Sequence, residues 1–180
     1  VYMKFDTSLN KQITIATTRP ELLPACVAIH IHPNDKRFKK FIGAKAKIPF
    51  SNRDVEITAN KDVDMEFGSG AVKITPAHDP NDYESALRNN LPIANMLNDD
   101  ATITREAGGP RYANVDRFVA RERLRDELTA LGLFRGSKEH SMTLQVCSRT
   151  GDILEPLIRP QWFVRTPNMA ERAKTMVVRS

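Results

Sequence analysis

The sequence predicts an α+β fold, a mixed β-barrel core with helices at its periphery. Three observations carry that expectation. Strand-like segments are numerous and short. Helical periodicity is confined to a few stretches that do not alternate regularly with the strands, as a doubly wound sheet would need. Gly68 and Gly70 precede an apolar strand, whereas a dinucleotide-binding fingerprint follows a strand and opens a helix. With 41% hydrophobic residues in 180, the chain can bury one real core, with or without an appendage.

Residues 2–4 and 12–16 read as two extended segments joined by the polar stretch 6–10. A further strand is predicted over 25–31, closed by Pro33. Residues 34–41 read as a short helix ending at Gly43. Segments 45–50 and 54–58 flank Ser51, Asn52 and Arg53 in a hairpin pattern. Residues 71–74 form a short apolar strand. Asp79 starts a helix running to about Arg88, where Asn89, Asn90 and Pro92 stop it. A strand is predicted over 93–97 and a loop over 106–111, where Gly108, Gly109 and Pro110 cluster. The longest helix is predicted over 115–131: Ala120, Leu124, Leu128 and Leu131 recur at helical spacing, and Gly132 ends it. Its arginines alternate with Glu122, Asp126 and Glu127 and read mostly as a salt-bridged solvent face. A late strand pair, 141–146 and 153–158, brackets Ser148-Arg149-Thr150-Gly151. The expected organisation is a domain over 1–160 and a C-terminal tail over 161–180 with a helix at 169–176.

Net charge is +5, from 27 basic and 22 acidic residues. That bias permits contact with nucleic acid without demanding it. Two cysteines, Cys26 and Cys147, exclude a disulfide framework and a four-cysteine zinc site. Both fall in predicted strands and read as buried and inert. No Gly-x-Ser-x-Gly elbow occurs, so water is the expected nucleophile of any hydrolysis. No apolar run approaches the roughly 18 residues of a membrane span, and no membrane partner is expected. The chain starts at Val1 without a signal-peptide pattern and reads as a piece of a longer protein. The expected compartment is reducing: the cytoplasm, or the mitochondrion in a eukaryote.

Chemistry concentrates in residues 68–82. Lys73 and Thr75 lie two apart on a strand and so share a face. Lys73 is either an edge-strand lysine that discourages aggregation or a pocket cation for a carboxylate or a developing oxyanion. Asp79 and Asp82 have the spacing of a helix cap and a first-turn carboxylate, with Pro80 between them. Such carboxylates are rigidly placed and stay ionised, so capping and binding an ammonium or a water are compatible. His78 reads as a hydrogen-bonding loop histidine. His30 and His32 with His78 raise a metal site, but zinc normally takes three or four ligands with a supporting shell, and none is expected here. Thr17-Thr18-Arg19-Pro20-Glu21 reads as a strand end and helix start, or as a loop offering hydroxyls to a carbonyl and Arg19 to a phosphate or ribose oxygen.

Residues 16–21, the run 63–82, Cys147-Ser148-Arg149-Thr150-Gly151, Glu155-Pro156-Leu157 and Gln161-Trp162-Phe163-Val164, taken in order, resemble the editing domain inserted in class I aminoacyl-tRNA synthetases for valine, isoleucine and leucine. Lys73 and the run 76–82 favour the valine members. The resemblance implies hydrolysis of the ester of mischarged Thr-tRNA(Val) by an activated water. A hydrophobic synthetic pocket cannot strongly reject an isostere that adds a hydroxyl; for the valine enzyme against threonine the known factor is about a hundredfold. By resemblance, Asp82 binds the substrate ammonium, and Lys73, Thr75 and Asp79 surround the threonine hydroxyl and the water, with Lys73 and Asp79 in the catalytic role. Phe67 and Arg19 flank the terminal adenosine, Thr17 and Thr18 lie near the scissile ester, and His78 completes the binding set. Leu22 stands where bacterial-type members often read threonine. The implied partners are the tRNA(Val) 3′ end, threonine as the mischarged amino acid and the remainder of the synthetase in cis. No cofactor is implied, because ATP serves only the synthetic domain. The alternative is an RNA 3′-end binding module without hydrolytic activity.

Overall fold

The structure is a computed structural model that describes residues 1–51 and 53–178. Strands β1 (Tyr2–Asp6) and β2 (Gln12–Ala16) pair antiparallel, with Met3 opposite Ile15 and Phe5 opposite Ile13. These four side chains are fully buried, and the residues between them are not, the period of two that a half-buried strand imposes. A short strand, β7 (Phe134–Gly136), joins the other edge of β1. In the second sheet, β3 (Ala28–Ile31), β4 (Lys45–Lys47), β5 (Asp54–Ala59) and β6 (Ala71–Ile74) lie in the order β4-β5-β3-β6. The β3–β5 pair is parallel, and the β3–β6 and β4–β5 pairs are antiparallel. All four residues of β3 are buried, as befits a strand flanked on both sides. Ile29, Ile31, Val55 and Ile57 of this sheet meet Met3, Phe5, Ile13 and Ile15 of the first in one core. Burying each such side chain contributes about 1.5–3 kcal/mol.

The expected barrel does not close. At one seam Thr7 bridges Ala46. At the other, β2 lies against β6 with no backbone ladder between them among the described residues. The result is two facing sheets with helices α1 (Pro80–Arg88), α2 (Arg105–Tyr112), α3 (Arg117–Ala130) and α4 (Pro167–Val178). A second core joins the 3-10 turn Pro20–Ala25 to α3: Leu22 and Ala25 pack with Met96, Leu97, Ile103, Tyr112, Ala120 and Leu124.

Several expectations change. The strand expected over 25–31 starts only at Ala28, because Pro20 and Pro24 shape a 3-10 turn through Ala25. The helix expected over 34–41 shrinks to the 3-10 turn Lys39–Phe41; the Asp35 carboxylate accepts from the Arg37 backbone and offers a competing local turn. Residues 93–97 contribute one isolated bridge, Leu97 to Ile103, and no strand. The loop expected over 106–111 is helical on both sides of Gly109, which breaks the helix at φ 56°. The late strand pair reduces to the single bridge between Val146 and Ile153: with no third strand and no buried face, a two-stranded ribbon gains little. Cys147 therefore sits in a partly exposed turn, and a Thr150 hydrogen bond holds its thiol below the usual range. Cys26 is buried, and burial pushes its thiol up to about 11. The arginines of α3 do not all face solvent: Arg117 is buried and Arg121 half-buried. Asn52 of the hairpin turn and residues 179–180 of the tail lie outside the described residues. Among those described, no helix is long and apolar enough to cross a membrane.

The turn before β6 depends on one glycine. Gly70 has φ +79°, and a Cβ there would lie 2.8 Å from the Met65 carbonyl oxygen and 2.5 Å from Arg37 Nη2. Gly70→Ala is expected to lower unfolding stability in urea by about 1–3 kcal/mol through strain alone, whereas a stable variant with an unchanged midpoint would contradict this account of the turn.

Candidate functional site

The open seam between β2 and β6 leads into a cavity of about 590 Å³. Thr17, Thr18 and Arg19 follow β2 and form one wall. Lys73 comes from β6, Thr75 directly follows that strand, and His78, Asp79 and Asp82 come from the turn into α1 and its first turn. Phe67 stands on the loop before β6. All nine residues expected from the sequence line this one cavity.

The two-residue spacing of Lys73 and Thr75 puts their side chains together: Lys73 Nζ donates to Thr75 Oγ1 at 3.2 Å. Thr75 Oγ1 donates onward to Asp82 Oδ2 at 3.2 Å, and the Thr75 backbone N–H reaches the same oxygen at 2.8 Å. Lysine, hydroxyl and carboxylate thus form a continuous chain across the cavity wall. Asp79 caps α1, its Oδ1 accepting from the Asn81 and Asp82 backbone N–H groups at 2.8 and 3.1 Å. That cap fixes an exposed carboxylate at the cavity mouth, so the capping and site readings of Asp79 coexist in space.

Burial lowers the Lys73 ammonium pKa below the usual lysine range, against the opposing pull of Cys26, Asp82 and Glu21. Burial likewise raises Asp82, and the Asp79 charge adds to it, while the Thr75 hydrogen bonds and Lys73 work the other way. The wall therefore carries an acid and a base whose proton affinities have moved toward each other, the pattern expected where proton balance matters.

Arg19 is committed inward. Its Nε donates to Glu21 Oε1 at 3.4 Å, Nη1 to the His78 carbonyl at 3.3 Å and Nη2 to Glu155 Oε1 at 2.5 Å. Glu21 is fully buried and takes a two-pronged bond from Arg121 of α3, at 2.9 and 2.7 Å. Arg117, one helical turn earlier, holds Glu155 Oε2 at 2.6 Å and the Ile153 carbonyl at 2.9 Å. Burial disfavours the Glu155 charge, yet the His78 ring, Arg19 and Arg117 hold its carboxyl below the usual range. His78 is buried, and its Nε2 accepts from the Met96 backbone N–H at 3.2 Å. The neutral ring must then carry its proton on Nδ1, which has no hydrogen-bond partner among the described residues and lies 3.7 Å from Glu155 Oε1.

Sequence reasoning missed this ion network. Glu21 and Glu155 were visible only as members of longer runs, and nothing local marks Arg117 and Arg121 as inward-facing. It also missed Lys138, Glu139, His140, Ser141 and Met142, which line the cavity from the segment after β7. The His140 ring meets Phe67 edge-on at 5.6 Å. His30 and His32 do not line the cavity. His30 is buried against Asn60, and burial lowers its pKa to about 4. Among the described residues, no three His, Cys, Asp or Glu side chains are grouped to hold a metal ion.

A family model described as leucyl-tRNA synthetase, editing domain, matches residues 34–116. The valine--tRNA ligase of Schizosaccharomyces pombe is 46% identical over 169 residues, covering 93% of this chain and 17% of that protein. The valine--tRNA ligase of Fusobacterium nucleatum is 44% identical over 168 residues, covering 93% and 19%. Among solved structures, the ternary complex of Agrobacterium radiobacter K84 agnB2 LeuRS with tRNA and LeuAMS matches with a TM-score of 0.57 at 19% identity, covering 72% of this chain and 18% of that one. That last likeness concerns the fold alone. The chain belongs to the editing-domain family of the class I aminoacyl-tRNA synthetases. Within it, the sequence is of the valine--tRNA ligase type, and it spans less than a fifth of the length of those two ligases.

The Thr75 hydroxyl is the middle link of the Lys73–Asp82 chain. Thr75→Val, close in shape, is expected to destabilise the protein by about 1–2 kcal/mol in urea unfolding because Lys73 loses its acceptor. An unchanged midpoint would show that the link contributes nothing.

Proposed function

We propose that this domain hydrolyses the ester of mischarged Thr-tRNA(Val). The observation that carries the reading is that the Lys73–Thr75–Asp82 chain, the Thr17–Thr18 loop and the capped Asp79 line one cavity. Asp82 binds the α-ammonium of the amino acid. Its Oδ2 is engaged by Thr75, and its Oδ1 carries no hydrogen bond from the described residues. Lys73, Thr75 and Asp79 receive the threonine side-chain hydroxyl. Valine has a methyl group there, which would leave these polar groups unpaired, and a site built to bond a hydroxyl rejects the analogue that lacks it. The water, oriented by Asp79, adds its oxygen to the ester carbonyl carbon. The carbon–oxygen bond to the ribose then breaks, a proton goes to the ribose oxygen, and threonine leaves as the free acid. Lys73 stabilises the developing oxyanion. Because the ester is already activated, positioning and charge suffice for a useful rate.

Phe67, exposed at the cavity rim, and Thr17 and Thr18 receive the terminal nucleoside of the tRNA(Val) 3′ end. Arg19 acts beside that nucleoside as a brace, since three of its bonds are internal. His78 shapes the floor. Residues 1–160 form the editing unit, and residues 161–180, with Trp162 and Phe163 exposed and no buried residue in α4, form the junction towards the synthetic part in cis. That part supplies the ATP chemistry, and the editing unit works without a cofactor.

The test is release of threonine from Thr-tRNA(Val). Asp82→Asn is expected to lower kcat/KM by roughly a hundredfold or more, since it strips the partner of a desolvated ammonium. Lys73→Met is expected to lose about a hundredfold in kcat. Hydrolysis at the wild-type rate by Asp82→Asn would remove the ammonium role, and tRNA binding without turnover by the wild-type chain would favour an RNA 3′-end binding module. A strong chelator is expected to leave the rate unchanged; loss of activity would bring a metal back into the mechanism. The pH profile carries a sign as well. Asp82 must be ionised to bind the ammonium and its pKa is raised, so activity should fall on acidification at a higher pH than an ordinary aspartate would dictate. An acid limb within the ordinary aspartate range would contradict the assignment.

A further inference from the structure

We propose that Glu155 is a positioning residue for ester hydrolysis, acting through Arg19 to hold the Thr17–Arg19 loop against the start of α1; the proposal rests on the editing reading of the site. Glu155 comes from the segment after β7, far in sequence from the loop it governs. Its side chain is 14% exposed, and neither oxygen is idle: Oε1 takes Arg19 Nη2 at 2.5 Å and Oε2 takes Arg117 Nη1 at 2.6 Å. It does not line the cavity, so it touches no substrate there.

What it controls is the direction of one guanidinium. Arg19 follows Thr17 and Thr18, and its backbone N–H donates to Thr17 Oγ1 at 3.0 Å, which ties the arginine to the start of the loop. Arg19 Nη1 donates to the His78 carbonyl, immediately before Asp79. One side chain thus ties the loop near the ester to the turn that places Asp79 and Asp82. Glu21 holds only Nε, near the base of the guanidinium. Glu155 holds the far end and neutralises it. Without that charge, Arg19 loses the anchor that keeps Nη1 on the His78 carbonyl. The cationic group is then free to turn into the cavity, where it competes with the ammonium for Asp82. Arg117 completes the device: it fixes Glu155 and, through the Ile153 carbonyl, the segment that carries it. His78 Nδ1 lies 3.7 Å from Oε1 of the same carboxylate, which sets the floor of the cavity against the same anchor.

The test uses the 180-residue chain with Glu155→Gln, which keeps volume and hydrogen-bonding shape but removes the charge. Two readouts are independent of each other. Backbone amide exchange is expected to quicken about tenfold or more at residues 17–19 and 78–82, with β1, β2 and β3 unchanged, the signature of local rather than global loosening. Single-turnover deacylation of Thr-tRNA(Val), with protein in excess, is expected to slow about tenfold in the chemical step with apparent affinity within about twofold, as misplacement rather than lost contact predicts. Because the effect passes through Arg19, adding Glu155→Gln to Arg19→Gln should cost nothing further. Unaltered exchange at residues 17–19 overturns the proposal, as does a full additional loss in the double variant. If Glu155→Gln unfolds, Glu155→Asp, which retains the charge, is read in its place and must keep the loop protected to within about threefold of wild type; an exposed loop there also overturns the proposal. Should the wild-type chain release no threonine, the editing reading falls, while the exchange result still decides the role of Glu155.

Discussion

The guanidinium of Arg19, held between the carboxylates of Glu21 and Glu155, is the constraint on which the site depends. Removing two carboxylates and three guanidinium groups from water costs several kcal/mol per ion, and their mutual attraction offsets this only where every donor finds an acceptor. Most of the guanidinium nitrogens meet that condition. Glu21 receives Arg121 and Arg19, Glu155 receives Arg117 and Arg19, and two further donors, one of Arg19 and one of Arg117, reach the His78 and Ile153 carbonyls. Such an array adds little net stability compared with apolar packing. What it supplies is placement. Three parts of the chain, the turn after β2, helix α3 and the segment after β7, are locked at one point. The cavity lies immediately above it.

The fold explains why the cavity is there. Two sheets share a core of alternating side chains, and among the described residues one isolated bridge, Thr7 to Ala46, links them at one seam. At the other seam β6, which carries Lys73 and is followed directly by Thr75, lies against β2 with no backbone ladder between them among the described residues. A closed ladder would leave no room for a ligand. The open seam instead gives Lys73 a buried place with a hydroxyl and a carboxylate in line. The same burial that lowers the affinity of Lys73 for its proton raises that of Asp82, so both groups are tuned by position rather than by unusual chemistry. Helix α1 contributes through its cap: the proline and aspartates that start it also deliver two carboxylates to the cavity.

Local signals made much of this legible. β6 and α1 follow the expected limits because each is set by neighbouring residues: a short apolar run, a capping aspartate, a proline at the first helical position. The nine site residues fall in two compact runs, and both runs reach the same cavity. What was hidden is tertiary. The arginines of α3 alternate with acids in the manner of a solvent face, and only the packed structure shows Arg117 and Arg121 turned inward to carboxylates 38 and 100 positions away. The strand pair expected near Cys147 had suitable residues but no third strand to pair with and no face to bury. The helix expected at 34–41 lost to a local aspartate turn. His140 carries no signal of its own; it matters only because the segment after β7 passes beside Phe67.

In the proposed function a polar wall of Lys73, Thr75 and Asp82, with Asp79 at its mouth, grips threonine by its nitrogen and its hydroxyl. A crystal structure of the chain bound to a non-hydrolysable threonyl-adenosine mimic tests it most directly. The account predicts the ammonium within hydrogen-bond distance of the Asp82 carboxylate, the side-chain hydroxyl among Lys73, Thr75 and Asp79, and the adenine beside Phe67. A ligand bound with its amino acid outside this cavity, or with its ammonium turned towards Lys73, would contradict it.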